Sequence, residues 1–151
     1  MQIVLYQPEI PPNTGNIGRL CAATFTPLHL IKPLGFKLDD KHLKRAGLDY
    51  WEFVDCSIWD NWESFASSLG TASKILLTTK NAKQSLYSYT FGGEELLVFG
   101  PETKGLPEWM LSNYPSQLRI PIWSDNVRSL NIANSAAVCL YESYRQLFFY
   151  N

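Results

Sequence analysis

Three short stretches hold most of the side chains able to do chemistry. Phe99-Gly100-Pro101-Glu102-Thr103-Lys104-Gly105-Leu106-Pro107 puts two glycines, a carboxylate and a lysine in a stiff loop. Asn13-Thr14-Gly15-Asn16-Ile17-Gly18-Arg19 combines two amides, two glycines and an arginine. Arg128-Ser129-Leu130-Asn131-Ile132-Ala133-Asn134-Ser135 places five polar groups at a helix start. Gly100 and Gly105 have the spacing of a phosphate loop, but Leu106 and Pro107 stand where Lys and Ser/Thr must reach phosphate and magnesium. That excludes an NTPase. No GxGxxG follows the first apolar run, which speaks against a dinucleotide site. What remains is a loop with exposed backbone that can hydrogen-bond a flat heterocycle through its N–H and C=O groups. Taken one at a time, each stretch also has a plain meaning. The glycine loop reads as a strand-to-helix turn, Arg19 as a solvated helix arginine, and Ser129 or Asn131 as a helix cap.

The elements that position these stretches follow from periodicity. Ile3-Val4-Leu5-Tyr6, Leu28–Ile31, Ile75-Leu76-Leu77 and Leu96-Leu97-Val98-Phe99 are continuous apolar runs, as in strands buried on both faces of a parallel sheet. Phe53-Val54 and Leu118–Ile122 read as further strands. Pro8, Pro11 and Pro12 break the chain, after which Asn13 or Thr14 caps a helix through Ile17, Leu20, Cys21 and Phe25. Asp39 or Asp40 caps a short helix over Lys41–Ala46. Trp59–Leu69 is amphipathic, with Gly70 ending it. Pro107–Asn113 is a short helix, and a long one runs from Asn131 to about Phe148. Alternating strands and helices predict an α/β fold with a mostly parallel sheet. Ligands bind such sheets beyond the carboxyl ends of the strands. Pro8–Arg19, Phe99–Pro107 and Ile120–Asn134 are expected at those ends.

Composition narrows the function. The 151 residues are expected to form one domain, 1–151. Thirteen Lys and Arg against fourteen Asp and Glu give a net charge of −1, which excludes binding nucleic acid by bulk charge. Any such contact must use local patches, and Lys41, Lys44 and Arg45 form a small one, usually only a solvated face. Mean hydropathy is −0.13, and no apolar run approaches the ~20 residues of a membrane span. The N-terminus lacks a signal-peptide pattern, so a cytoplasmic protein without membrane contact is expected. The cysteines, Cys21, Cys56 and Cys139, are odd in number and form no CxxC, as expected of reduced core thiols. Two isolated histidines, His29 and His42, argue against a metal cluster, so no metal is expected. His29 lies in a strand, where packing is its expected role.

Taken together, the segments resemble a known family. Leu5–Ala22 (LYQPEIPPNTGNIGRLCA), Gly47–Phe53 (GLDYWEF), Leu76–Lys80 (LLTTK), Val98–Pro107 (VFGPETKGLP), and RIPI, RSLNIANS and LYESYRQL near the end carry the likeness. They resemble the SPOUT superfamily of S-adenosylmethionine-dependent RNA methyltransferases, in particular the small tRNA (cytidine/uridine) 2′-O-methyltransferases of the wobble nucleotide. The resemblance implies an α/β knot whose C-terminal third threads a deep trefoil, and a homodimer. It implies S-adenosylmethionine as the donor, without metal, and the tRNA anticodon stem-loop as substrate, with no DNA. By motif match, Leu77, Gly100, Glu102, Gly105, Ile120, Ser129 and Leu130 should bind the donor. Arg19 matches the arginine linked to activating the hydroxyl. Guanidinium, with a pKa above about 12, is a poor base, so phosphate binding and ribose orientation are its expected role. Asn13 and Glu102 are positioning candidates, and Glu102 could pair with an arginine, within its chain or across the dimer. Tyr141 matches a tyrosine linked to tRNA use, with a core aromatic as the alternative. Lys41, Lys44, Arg45, Arg128 and Arg145 are the expected phosphate contacts. Another ribose target, or a non-catalytic RNA-binding module, are the competing functions. Two departures stand out: Ala23–Pro27 lacks a glycine common there, and Asn126-Val127-Arg128 lacks a serine before the arginine.

Overall fold

The apolar runs pair side by side as parallel strands. The computed structural model describes residues 1–37 and 50–149. Its strands are β1 (Gln2–Tyr6), β2 (Leu28–Ile31), β3 (Cys56–Trp59), β4 (Lys74–Thr78), β5 (Glu95–Phe99) and β6 (Gln117–Leu118). Its helices are α1 (Pro11–Thr24), α2 (Trp62–Ser68), α3 (Glu108–Asn113) and α4 (Ile132–Phe148). The sheet order is β3-β2-β1-β5-β4-β6, with every pairing parallel. Lys41–Ala46 lies outside the described residues.

Alternation along the strands splits the core in two. Ile3, Leu5, Leu28, Leu30, Leu76 and Leu97 pack on one face with Ile17 and Cys21 of α1 and Ala136, Cys139 and Leu140 of α4. Val4, Ile31, Leu77, Leu96 and Val98 pack on the other with Trp62 and Phe65 of α2 and Met110 of α3. Both faces are covered, which is why these strands have no polar alternation. β1 and β5 are neighbours, yet α1 follows β1 onto the first face and α3 follows β5 onto the second. A crevice opens at the carboxyl ends of such a strand pair.

Several boundaries differ from the sequence reading. Phe53 ends a 3₁₀ turn, Trp51–Phe53, and the strand comes later, at Cys56–Trp59. Trp59 belongs to that strand, because Asn61 caps α2 by accepting the Ser64 N–H at 2.8 Å. α1 begins at Pro11 rather than after Asn13 or Thr14. Prolines suit a first turn, whose N–H groups have no partner within the helix. β6 stops at Leu118, and only Arg119 extends it, through a bridge to Ser85; Pro121 has no N–H to continue the ladder. Asn131, not Ser129, caps α4, accepting the Ala133 and Asn134 N–H groups at 2.8 and 3.4 Å. Where the expected glycine is missing, the chain leaves α1 at Phe25 with φ 51°, a left-handed conformation that favours glycine.

Candidate functional site

Beyond the carboxyl ends of β4, β5 and β6, three loops enclose a cleft of about 490 Å³. That is ample for a nucleoside-sized ligand. Thr78–Asn81 form one wall, Phe99–Leu106 the second, and Ile120, Ile122 and Ser129–Ile132 the third. The second wall doubles back on itself. A Cβ at Gly100 would lie 2.5 Å from the Leu106 nitrogen and 2.6 Å from the Gly105 carbonyl carbon, so only glycine fits there. Gly105 has φ 70° and donates its N–H to the Pro101 carbonyl at 2.8 Å. The result is a compact turn in which two of the residues lining the cleft, Gly100 and Gly105, carry no side chain.

Hydrogen bonds tie the loops together. Glu102 accepts the Glu9 N–H at 2.8 Å, the Ile10 N–H at 3.2 Å and the Asn13 side-chain N–H at 3.1 Å. It therefore serves α1 as a cap supplied from another part of the chain, where no local side chain caps it. Asn13 accepts from the Asn131 side chain at 2.9 Å, and Asn131 caps α4. Glu9 returns the clasp by accepting the Thr103 N–H at 3.0 Å and its hydroxyl at 2.8 Å. These bonds hold the Glu9 carboxyl below the usual carboxylate range.

The expected site residues divide into those at the cleft and those away from it. Asn13, Gly100, Glu102, Gly105, Ile120, Ser129 and Leu130 all line it. Leu77 does not; it is fully buried in the core, and Thr78 is the β4 residue that lines the cleft. Among the described residues, the acceptor bonds of Glu102 fall on backbone and amide N–H groups and not on an arginine. Arg19 is exposed on α1, away from the cleft lining, with its guanidinium 4.4 Å from the centre of the Tyr50 ring. The Tyr50 hydroxyl donates to the Gly15 carbonyl at 2.7 Å, and Trp51 lies against Gly18. Arg128 borders a second hollow next to the cleft. Tyr141 is 57% exposed and so is not a core aromatic. Arg145 is engaged by Glu142 at 2.7 Å. Lys41, Lys44 and Arg45 lie outside the described residues. Glu9, Thr103 and Tyr50 were not expected here; their partners are distant in sequence, and their spacing carries no signal.

The remaining reactive groups are passive. Burial pushes the Cys21 and Cys139 thiols up to about 12 and Cys56 to about 11, keeping all three protonated near neutrality. All are free of disulfides. His29 accepts the Trp59 indole N–H at 3.1 Å on Nδ1, so its Nε2 carries the proton and donates to Gln2 at 2.6 Å. Among the described residues, no helix is long and apolar enough to cross a membrane.

The chain and its fold have counterparts among known proteins. The sequence pattern described as the SpoU rRNA Methylase family matches residues 1–141. The tRNA (cytidine(34)-2′-O)-methyltransferase of Methylovorus glucosotrophus is 54% identical over 147 residues, covering 95% of this chain and 94% of that protein. A structure solved in work on the 2′-OH methylation of C/U34 on tRNA superposes with a TM-score of 0.91 at 46% identity, covering 97% of this chain and 95% of that one. The fold is also that of the SpoU methyltransferase AviRb of Streptomyces viridochromogenes, solved in complex with AdoMet. There the TM-score is 0.83 at 23% identity, covering 99% of this chain and 61% of that one.

Proposed function

The chain belongs to the SpoU rRNA methylase family, and on that premise we propose that it methylates the ribose 2′-hydroxyl of tRNA nucleotide 34, using S-adenosylmethionine. The observation that carries this reading is near full-length identity of 54% to a tRNA (cytidine(34)-2′-O)-methyltransferase, joined to a cleft of suitable size at the sheet's carboxyl end. The enzyme acts in this reading as a cytoplasmic homodimer of one domain, 1–151. Its C-terminal part is threaded as a trefoil knot. In support, β6 lies outside β4 at the sheet edge, while the helix that follows it packs back against α1.

The cleft residues fit the donor. Gly100 and Gly105 leave peptide groups free of side-chain cover, suited to the edge of an adenine, and Ile120 and Leu130 supply apolar walls. Ser129 adds a hydroxyl. Bound there, S-adenosylmethionine supplies an electrophilic methyl group already activated on sulfur. The protein's task is then alignment, which alone can contribute about 7–11 kcal/mol. Asn13, Glu102 and Asn131 hold the start of α1, the loop after β5 and the start of α4 in register. Arg19 binds a substrate phosphate and orients the ribose, and the hydroxyl proton passes to that phosphate or to water. Arg19 does not line its own cleft; in this reading it serves the cleft of the second copy. Arg128 and Tyr141 are RNA contacts in the same reading.

Nucleoside mass spectrometry of tRNA from cells lacking the gene tests the assignment. Loss of 2′-O-methylation at nucleotide 34, restored by the wild-type gene and not by Arg19→Ala, is expected. Persistence of the mark, together with no methylation of tRNA by the purified protein, overturns it.

A further inference from the structure

Next to the cleft lies a second hollow of about 330 Å³. Lys80, Arg119 and Arg128 border it, from the ends of β4 and β6 and from the loop leading to α4. All three are exposed, and among the described residues no carboxylate lines the hollow. Among the described residues, none of the three forms an ion pair. Arg119 is held at its backbone: its N–H donates to the Gln84 carbonyl at 2.9 Å, and its carbonyl accepts the Leu86 N–H at 2.8 Å. Lys80, Asn81 and Ile120 line both spaces, so the hollow is continuous with the cleft. Trp123 sits between two of its lining residues, Ile122 and Ser124, and is 88% exposed.

Three unpaired cations around a concavity attract an anion of comparable size. An indole left in water forgoes the large apolar burial that tryptophan normally gains. A cationic hollow with an aromatic platform at its edge is the pattern of single-stranded nucleic-acid binding, in which cations take the backbone and rings take the bases. We propose that this hollow seats a nucleotide flanking the methylated one, with its phosphate among Lys80, Arg119 and Arg128 and its base stacked on Trp123. The inference rests on the RNA reading above and extends it to Trp123, a residue that the motifs do not contain. Because stacking tolerates any base, Trp123 contributes affinity more than base choice.

The test uses the full chain and a fluorescently labelled anticodon stem-loop RNA, with affinity read by anisotropy. Trp123→Ala is expected to weaken binding by about 5- to 150-fold, and Trp123→Phe to restore most of it. Arg119→Ala is expected to reduce the slope of log affinity against log salt by about 0.7. A stem-loop made abasic at nucleotide 33 or 35 identifies the stacked base, since Trp123→Ala costs nothing further on the correct one. Calorimetry should find the donor affinity of each variant unchanged. Three results overturn the proposal: wild-type RNA affinity in Trp123→Ala, a penalty that survives both abasic substitutions, or Arg119→Ala weakening the donor instead of the RNA. The last would place the donor's carboxylate in the hollow. Tight binding without methylation of nucleotide 34 would sink the proposed function and leave the stacking intact. Methylation with normal binding by Trp123→Ala would do the reverse, and no binding by the wild type would sink both.

Discussion

Asn13 and Glu102 lie 89 positions apart in sequence and share a hydrogen bond of 3.1 Å, with the amide donating to the carboxylate. The same amide group accepts from Asn131 at 2.9 Å. One buried side chain thus joins the start of α1, the loop after β5 and the start of α4. Glu102 fills the role of a missing cap on α1, so loop position and helix start depend on each other.

Asn13→Asp removes the only donor that side chain offers Glu102 and sets a second carboxylate against it. A lost hydrogen bond at a largely buried site costs about 1–3 kcal/mol. Urea unfolding should show Asn13→Asp less stable than Asn13→Ala, and calorimetry should show donor binding at least tenfold weaker in both. Wild-type donor affinity in both variants would mean that the clasp does not shape the cleft.

Gly18→Ala acts on Arg19 through its neighbours. The new Cβ would lie 2.5 Å from the Trp51 ring, which must move. Tyr50, on which Arg19 stacks, adjoins that ring in sequence. Small displacements of positioning groups can cost about 100-fold in rate. The expected result is a fall in kcat of about tenfold or more with donor affinity within twofold. Unchanged turnover would remove the Tyr50 stack from the mechanism.

Phe25→Gly should stabilise the protein. Phe25 holds φ 51° with its side chain 93% exposed, so it has backbone strain and little packing to lose. The left-handed conformation costs a side-chain-bearing residue about 1–2 kcal/mol, and glycine's extra chain entropy returns roughly 0.5–1 of that. A gain of about 0.5–1 kcal/mol in urea unfolding is expected. A loss would show that the exposed ring stabilises the fold, as it would at a surface covered by a second copy.

His29 makes stability depend on pH in a defined direction. Burial lowers its pKa below 6.5, partly offset by Asp55. The unfolded chain therefore takes up a proton before the folded one does. This contribution is present in full above about pH 6.5 and is lost as pH falls toward the lower folded value. Protonation of Nδ1 also breaks the bond from Trp59. Unfolding measured at about pH 8 and pH 5.5 should show a smaller decline for His29→Gln than for the wild type. Equal declines would clear His29 of any part in acid sensitivity.

Local pattern determined much of this molecule. Continuous apolar runs such as Leu96–Phe99 specify strands buried on both faces, and the spacing of Ile132, Ala136 and Leu140 specifies the long helix. These signals are local because they reflect dihedral preference and the period at which side chains meet a core. The two glycines of the Phe99–Pro107 loop and the polar start of α4 were legible as cleft material for the same reason. Strand order was not, and with it went everything that depends on which loops become neighbours. Nothing near Glu102 in sequence says that its oxygens cap α1, and nothing near Arg19 says that it stacks on Tyr50. Leu77 shows the converse: its motif pointed to the cleft, while the pleat of β4 turned the side chain into the core and left Thr78 at the edge. Trp123 had no motif at all, and its exposure, between two residues that line the cationic hollow, is a product of the folded surface. A residue's neighbours in sequence set its backbone. Its chemical partners are set by many weak contacts between distant segments, and only the assembled sheet brings those together.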